Sequence, residues 1–349
     1  MNPDLRFRSL APWLRETFGQ PVYRVALDAG STCPNRDGTR GFGGCTYCDV
    51  EGSGTGALRT GKAVAEQLEA GLKRIARRSK GDQAVGAIAY LQSYSNTYGD
   101  SARLKELLGA VEPYLGDAVR CVSVATRPDC LQDEALRLLE HLSQRVPVWL
   151  ELGLESANDE VLLNINRLHT LAEFDDAVQR AHQAGLSTVG HAILGLPGDG
   201  RQGARATAKA IARAGCAGVK IHHLMVLKKT QMAHDWREGR LEVLDLETYL
   251  DWTADFIERL HPDQVVHRVT GEAPQEKLIA PHFGLHKTAI RVRLTEVLSK
   301  RGTRQGSAHI GEGGRSLPPQ GASSRDFAPA SEQQRETSNR ALPRFPPKA

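Results

Sequence analysis

Short apolar runs rich in β-branched residues alternate along most of this chain with amphipathic segments, and that alternation restricts the fold more than any other feature. Candidate strands fall at 22–27, 86–91, 120–125, 148–154, 188–194, 218–224 and 264–269. Helical patterns lie at 63–78, 102–114, 132–142, 171–184, 203–214 and 247–260. In the first of these, Val64, Leu68, Leu72 and Ile75 mark one apolar face. The strand-to-strand interval is mostly about thirty to forty residues, the length of a βα unit. Such repetition specifies a parallel sheet covered by helices. Several strands end in polar or glycine-rich residues: Gln92-Ser93-Tyr94-Ser95, Thr126-Arg127-Pro128-Asp129, Glu155-Ser156 and Gly195-Leu196-Pro197-Gly198. Polar groups at many successive strand ends suit a barrel mouth, whereas an open sheet gathers them at one switch point. The expected fold is α/β, a partial (β/α)6-type TIM barrel of parallel strands with a C-terminal extension. It divides into a lead-in over 1–20, the barrel core over 21–230, an extension over 231–302 that packs on the barrel, and a tail over 303–349.

The tail is expected to be disordered. It holds six of the 17 prolines and only five large apolar residues, Ile310, Leu317, Phe327, Leu342 and Phe345, too few to offset the entropy of ordering it. It also holds seven basic and four acidic residues, so three of the chain's four surplus positive charges lie there and the body is nearly neutral. No run of 18 apolar residues exists, so no spanning helix is expected. The start, MNPDLRFRSL, has no apolar signal core, so secretion is not expected and a cytoplasmic setting is.

The six cysteines are distributed unevenly. Cys33, Cys45 and Cys48 fall in sixteen residues directly after the first strand, and Cys121, Cys130 and Cys216 are scattered. The loop contains glycines at 38, 41, 43 and 44, which let a backbone wrap closely around a charged object. Three thiolates from one loop fit three chemistries. Structural zinc wants a fourth ligand, for which His191 and His222 lie on distant strands. A redox Cys-x2-Cys pair does not need Cys33. An iron–sulfur cubane held by three cysteines leaves one iron open to another ligand.

The loop resembles that of radical S-adenosylmethionine (radical SAM) enzymes. Its Cys-x11-Cys-x2-Cys spacing departs from the commonest Cys-x3-Cys-x2-Cys form and is similar to the elongator-type and coproporphyrinogen-oxidase-like branch. The segments at 90–98, 125–129, 151–156, 165–167 and 191–198 each resemble a signature of the bacterial YhcC/YtqA-like group, in order, over about residues 5–310. The resemblance implies a 4Fe-4S cluster on Cys33, Cys45 and Cys48 that reductively cleaves S-adenosylmethionine (SAM) to a 5′-deoxyadenosyl radical. It places Tyr47 and the apolar pair Ile193 and Leu196 at the adenine. Gln92, Ser93 and Tyr94 stand where a Gly-Gly-Glu type motif commonly holds the SAM amino group, and the acidic member is missing here. Glu155 is expected at the ribose hydroxyls or ammonium. Arg127 and Arg167 are expected as partners of Glu151 and Glu155, or as a grip on the SAM carboxylate.

Lys220 and His222 share one face of the sixth strand and His223 takes the other. Lys220 and His222 are candidate catalytic residues, as proton donor or anion clamp. Cys130 is a candidate source of a hydrogen atom or proton. Cys121 and Cys216 read as packing residues. The resemblance implies a wobble-uridine substrate in tRNA, with conversion of a carboxymethylaminomethyl to an aminomethyl side chain, and an electron donor such as flavodoxin or ferredoxin. Basic clusters at Lys73, Arg74, Arg77, Arg78 and Lys80, and at Arg291, Arg293, Lys300, Arg301 and Arg304, are candidate phosphate tracks. No DNA or membrane partner is expected. Other readings are a radical SAM enzyme for a small molecule or protein, and a non-enzymatic zinc-binding barrel.

Overall fold

The computed structural model describes residues 5–49, 62–79 and 84–309. Along the chain they form α1 (Leu10–Phe18), β1 (Val22–Leu27), α2 (Val64–Ala76), β2 (Gly86–Leu91), α3 (Ser101–Val111), β3 (Val119–Thr126), α4 (Asp133–Ser143) and β4 (Val148–Glu155). There follow α5 (Asp159–Asn164), α6 (Leu171–Gln183), β5 (Ser187–Leu194), α7 (Gly200–Arg213), β6 (Gly218–His223), β7 (Val226–Leu227), α8 (Gln231–Arg237), α9 (Leu246–Arg259), β8 (Val265–Arg268), β9 (Leu278–Ala280) and α10 (Lys287–Lys300).

Seven strands pair in parallel in the order β1-β2-β3-β4-β5-β6-β8. The sheet curls into a half-barrel, far enough that Arg24 on β1 and His267 on β8 approach to 3.3 Å although the two edge strands do not pair. The seventh strand is the 264–269 run, so the sheet draws on sequence assigned to the extension as well as to the core. Central strands read as nearly continuous apolar runs because both their faces are covered; every residue of β2 and β4 is buried.

The lead-in is more than a lead-in. Leu10, Trp13, Leu14 and Phe18 of α1 pack with Val22, Ile88, Cys121, Trp149, Val189 and Val265. Those six side chains stand near the starts of six strands, so α1 plugs the N-terminal end of the barrel. The opposite end is thereby the open one. Helix starts follow local capping: Asp100, Asn158, Thr170 and Asp245 each accept from a first-turn N–H. Close helix–strand packing also has a residue-level cause. A Cβ on Gly71 of α2 would lie 2.1 Å from Val25 Cγ1 on β1.

The C-terminal helix is anchored by charge. Arg201, Arg205 and Arg301 converge on Asp255, and Arg301 also binds Asp251 and Glu258. Arg293 pairs with Glu247 at 2.6 Å. Two of the five residues of the second basic cluster, Arg293 and Arg301, are therefore spent on intramolecular partners.

The expected boundary of the tail needs correcting. Residues 303–309 pack on the fold, because Gln305 is buried and satisfies three carbonyls. Its Nε2 donates to the oxygens of His261 (2.8 Å), Pro262 (3.2 Å) and Gln264 (2.8 Å), and its Oε1 accepts from Arg8 N at 2.9 Å. The rest of the tail, 310–349, and Lys80 lie outside the described residues. A chain ending at Gly302 should thus be less stable than one ending at His309. Gln305→Ala should cost about 1–3 kcal/mol, the cost of orphaning buried carbonyls. Urea unfolding of the two truncations and the point variant measures both.

Candidate active site

The cysteine loop leaves β1 and is held from below by the segment 165–167. Asn35, fully buried, donates Nδ2 to the carbonyls of Asn166 and Arg167 (3.2 Å for the latter). Asn166 returns the contact, donating to the carbonyls of Phe42 (3.1 Å) and Gly44 (2.7 Å), and Thr46 N donates to Ile165 O at 3.0 Å. Asn166 and Leu168 have positive φ, 55° and 61°, which turns successive carbonyls toward the loop. Neither Asn35 nor Asn166 is among the sequence candidates. Their only signal is that asparagine tolerates this backbone and carries both a donor and an acceptor.

Each thiol of the loop has a guanidinium beside it. Arg127 Nη1 lies 4.0 Å from Cys33 Sγ, Arg167 Nη1 3.9 Å from Cys45 Sγ, and Arg36 Nη2 3.4 Å from Cys48 Sγ. Burial and the nearby Cys45 push the Cys48 thiol up to about 11, against the pull of Arg36. Metal must therefore displace a proton there. Among the described residues no three His, Cys, Asp or Glu side chains gather tightly enough for a single ion. His191 and His222 do not join the cysteines, so the tetrahedral donor set of structural zinc is not assembled. The donors fit a multi-iron cluster, in which three thiolates serve different irons.

Around the loop the structure brings most of the expected cofactor residues together. Arg127 is buried and forks onto both carboxylate oxygens of Asp129 at 2.8 and 2.7 Å, with Nη2 also on Arg167 O at 2.7 Å. Arg167 donates to Gly153 O at 2.8 Å and pairs with Glu155 at 3.4 Å, while its buried Nε has no partner. Gly153 leaves the space these side chains fill, since a Cβ would lie 2.4 Å from Arg167 Nη2 and 2.5 Å from Glu155 Oε1 and would displace one of them. Glu155 and Tyr94 have φ of 69° and 58°, a strained region that clusters at functional sites. Ser93 is fully buried with no partner for Oγ. Asn96 ties the ends of β2 and β3 by donating to the carbonyls of Leu91, Ser93 and Ala125. Tyr47 and Ile193 pack on one apolar cluster that includes Leu196, Val161 and Leu224.

Deeper in the barrel lies a second polar group. Glu151, fully buried, accepts from Ser123 Oγ (2.6 Å), His191 Nε2 (3.0 Å) and Lys220 Nζ, and Lys220 also donates to Tyr90 Oη at 3.0 Å. Burial alone would raise the Glu151 carboxyl, but Lys220 and His191 hold it well below the usual range. Two expectations change here. Glu151 does not meet Arg127 or Arg167, because it sits a full turn of the pleat lower than Glu155 and faces β6. Lys220 is not a free anion clamp, because its charge is matched by Glu151. His222 does share its face, with its ring 5.9 Å from that of His191. His223 points the other way, onto Tyr249 and Phe283. Cys130 is buried beside Asp129, and burial followed by that carboxylate pushes its thiol up to about 12, so it stays protonated.

The family comparisons follow this geometry. The radical SAM superfamily model matches residues 32–211, and the radical SAM C-terminal domain model matches 216–299. YtqA of Bacillus subtilis, an uncharacterized protein, is 36% identical over 305 residues, covering 87% of this chain and 93% of YtqA. YhcC of Escherichia coli K12 is 36% identical over 298 residues, covering 84% of this chain and 93% of YhcC. A tRNA uridine(34) acetyltransferase of Dehalococcoides mccartyi is 27% identical over 52% of this chain and 39% of its own. The solved archaeal Elp3 of Methanocaldococcus infernus superposes with a TM-score of 0.64 at 17% identity, covering 82% of this chain and 64% of that one.

Removing Glu151 should strand a buried ammonium. Glu151→Ala is expected to cost about 3–5 kcal/mol, and Glu151→Leu combined with Lys220→Met should recover most of it. Burial already pulls Lys220 down to about 7 from its ordinary 10.5 despite Glu151. Losing the carboxylate that holds this value up should carry Lys220 lower still, so the Glu151→Ala deficit should shrink as pH rises to about 7 and stay level above it, where the amine is neutral in both folded proteins. Urea titrations at pH 6, 7 and 8 test both statements.

Proposed function

The chain belongs to the radical SAM superfamily, and on that premise we propose that Cys33, Cys45 and Cys48 hold its cluster and that it modifies the side chain of a wobble uridine in tRNA. As a radical SAM enzyme it works with a 4Fe-4S cluster and SAM. The ligand assignment is carried by one observation: three thiols share one loop, Cys33 and Cys45 buried and Cys48 half-buried, with one guanidinium to each. When bound, the cluster supplies the electron that splits the SAM sulfonium.

The chain's own residues do the holding. Ser93 Oγ, buried without a partner, offers an acceptor for an ammonium. The unpaired Nε of Arg167 offers a donor for a carboxylate, a task for which Arg127 is less suited because Asp129 occupies its fork. Glu155 is placed to accept from ribose hydroxyls or the ammonium, with Gln92 and Tyr94 just after β2, two strands away in the sheet. Tyr47, Ile193 and Leu196 supply an apolar wall that keeps water from the adenine side. His222 and Lys220 lie beneath this layer, where His222 is the nearer candidate for proton transfer to substrate.

The tRNA reading draws support from the named tRNA-modifying relative and from the exposed stripe of Lys73, Arg74, Arg77 and Arg78 on and after α2. Among the described residues no helix is long and apolar enough to cross a membrane. A flavodoxin- or ferredoxin-type donor in the cytoplasm fits the need for single electrons.

Anaerobic reconstitution with iron and sulfide should give a cubane absorbance and turnover of SAM to 5′-deoxyadenosine. Cys45→Ala should abolish both while leaving the far-ultraviolet circular dichroism near that of the parent. Retained cleavage in that variant would refute the ligand assignment. The tRNA of a deletion strain should show an altered wobble-uridine profile, and an unchanged profile removes the tRNA proposal while leaving the cofactor chemistry intact.

A further inference from the structure

We propose that Arg36, rather than Arg127 or Arg167, sets the reduction potential of the cluster, because it alone of the three guanidiniums brings a positive charge that no carboxylate among the described residues offsets. The inference rests on the reading of Cys33, Cys45 and Cys48 as the ligands.

The three arginines look equivalent by position and differ in their other partners. Arg127 is neutralised by Asp129; Arg40, which also reaches Asp129 at 3.3 Å, has its own carboxylate in Glu173 at 2.6 Å. Arg167 is paired with Glu155. Arg36 donates instead to neutral carbonyls, those of Cys48 (3.4 Å) and Asp49, and its guanidinium carbon lies 5.6 Å from the Tyr94 ring centre. Among the described residues no carboxylate stands within ion-pair distance of it. The nearby Asp49 carboxylate pairs with Lys277 Nζ at 3.1 Å. Arg36 is also the closest of the three to sulfur, at 3.4 Å against 3.9 and 4.0 Å.

The loop is shaped to admit this side chain. Gly44 has φ of 81°, and a Cβ there would press on the Arg36 guanidinium at 3.1 Å. Position 44 thus favours glycine on two counts, backbone and space. The carbonyl oxygens fix the plane of the guanidinium while leaving its charge uncancelled.

Reduction adds one negative charge to a cluster already held by thiolates. Cluster potentials follow net charge and hydrogen bonds to the sulfurs. A cation balanced by its own carboxylate changes that energy little at a distance, whereas an unbalanced one beside a ligand sulfur favours the reduced state. Arg36 also lies over the Tyr94 ring, after the strand end proposed to hold SAM.

The test is a redox titration of the reconstituted full-length protein, read by electron paramagnetic resonance with iron content measured in parallel. Arg36→Gln should lower the reduced-to-oxidised ratio at fixed applied potential at least tenfold, about 59 mV for a one-electron couple. Arg36→Lys, which keeps the charge and loses the fork, should stay nearer the parent. A full iron complement in Arg36→Gln with an unchanged potential overturns the proposal. If Arg36→Gln loses iron, Arg36→Lys decides: iron at a near-parental potential supports a role of charge, and loss in both variants makes Arg36 a structural clamp and overturns it. A parent protein that assembles no four-iron cluster overturns the ligand reading itself, an outcome distinct from all of these.

Discussion

The Arg167 guanidinium is the contact on which the site depends. It joins the fourth strand, through Gly153 O and Glu155, to the cysteine loop, through Cys45. A buried guanidinium is tolerated only when its donors and charge are met, and here a carbonyl, a carboxylate and a thiol meet most of them. Its backbone carbonyl is used as well, by Asn35 and Arg127. One residue thereby fixes the distance between a flexible glycine-rich loop and a rigid sheet. The absence of a side chain at Gly153 is what makes room for it.

Periodicity made the barrel legible. All seven sheet strands fall within a residue of the apolar runs that announce them, because parallel strands covered on both faces must be continuously apolar. The short elements were not legible. Helix α1 carries helical spacing in Leu10, Trp13, Leu14 and Phe18, but its importance comes from Trp13 packing on Trp149 inside the barrel floor, at 5.8 Å between rings, which spacing does not show. The ordering of 303–309 is equally a tertiary fact. A glutamine in a polar, proline-rich stretch gives no warning that three carbonyls wait for its amide.

The site shows the same division. Cysteine spacing and strand-end motifs singled out Cys33, Cys45, Cys48, Glu155 and Arg167, and the topology gathers them at one end of the sheet. Alternation along β6 correctly separated His223 from Lys220 and His222. What alternation does not supply is depth. Glu151 and Glu155 lie on one strand, yet a bulge between Gly153 and Glu155 and the positive φ at Glu155 give them unrelated neighbours. Arg36 was overlooked for a different reason: its significance lies in which carboxylates are far from it, and distance is invisible in a linear chain.

The first and last strands of the sheet face each other without sharing a backbone hydrogen bond; only Arg24 and His267 reach across. A closed barrel fixes its girth by strand number and stagger, so any widening must break a ladder. This one has a seam. Its girth is set by two side chains and by the helix wedged into its floor, both of which change by point substitution. A change at either place can therefore alter the width of the hollow without altering how the strands pair.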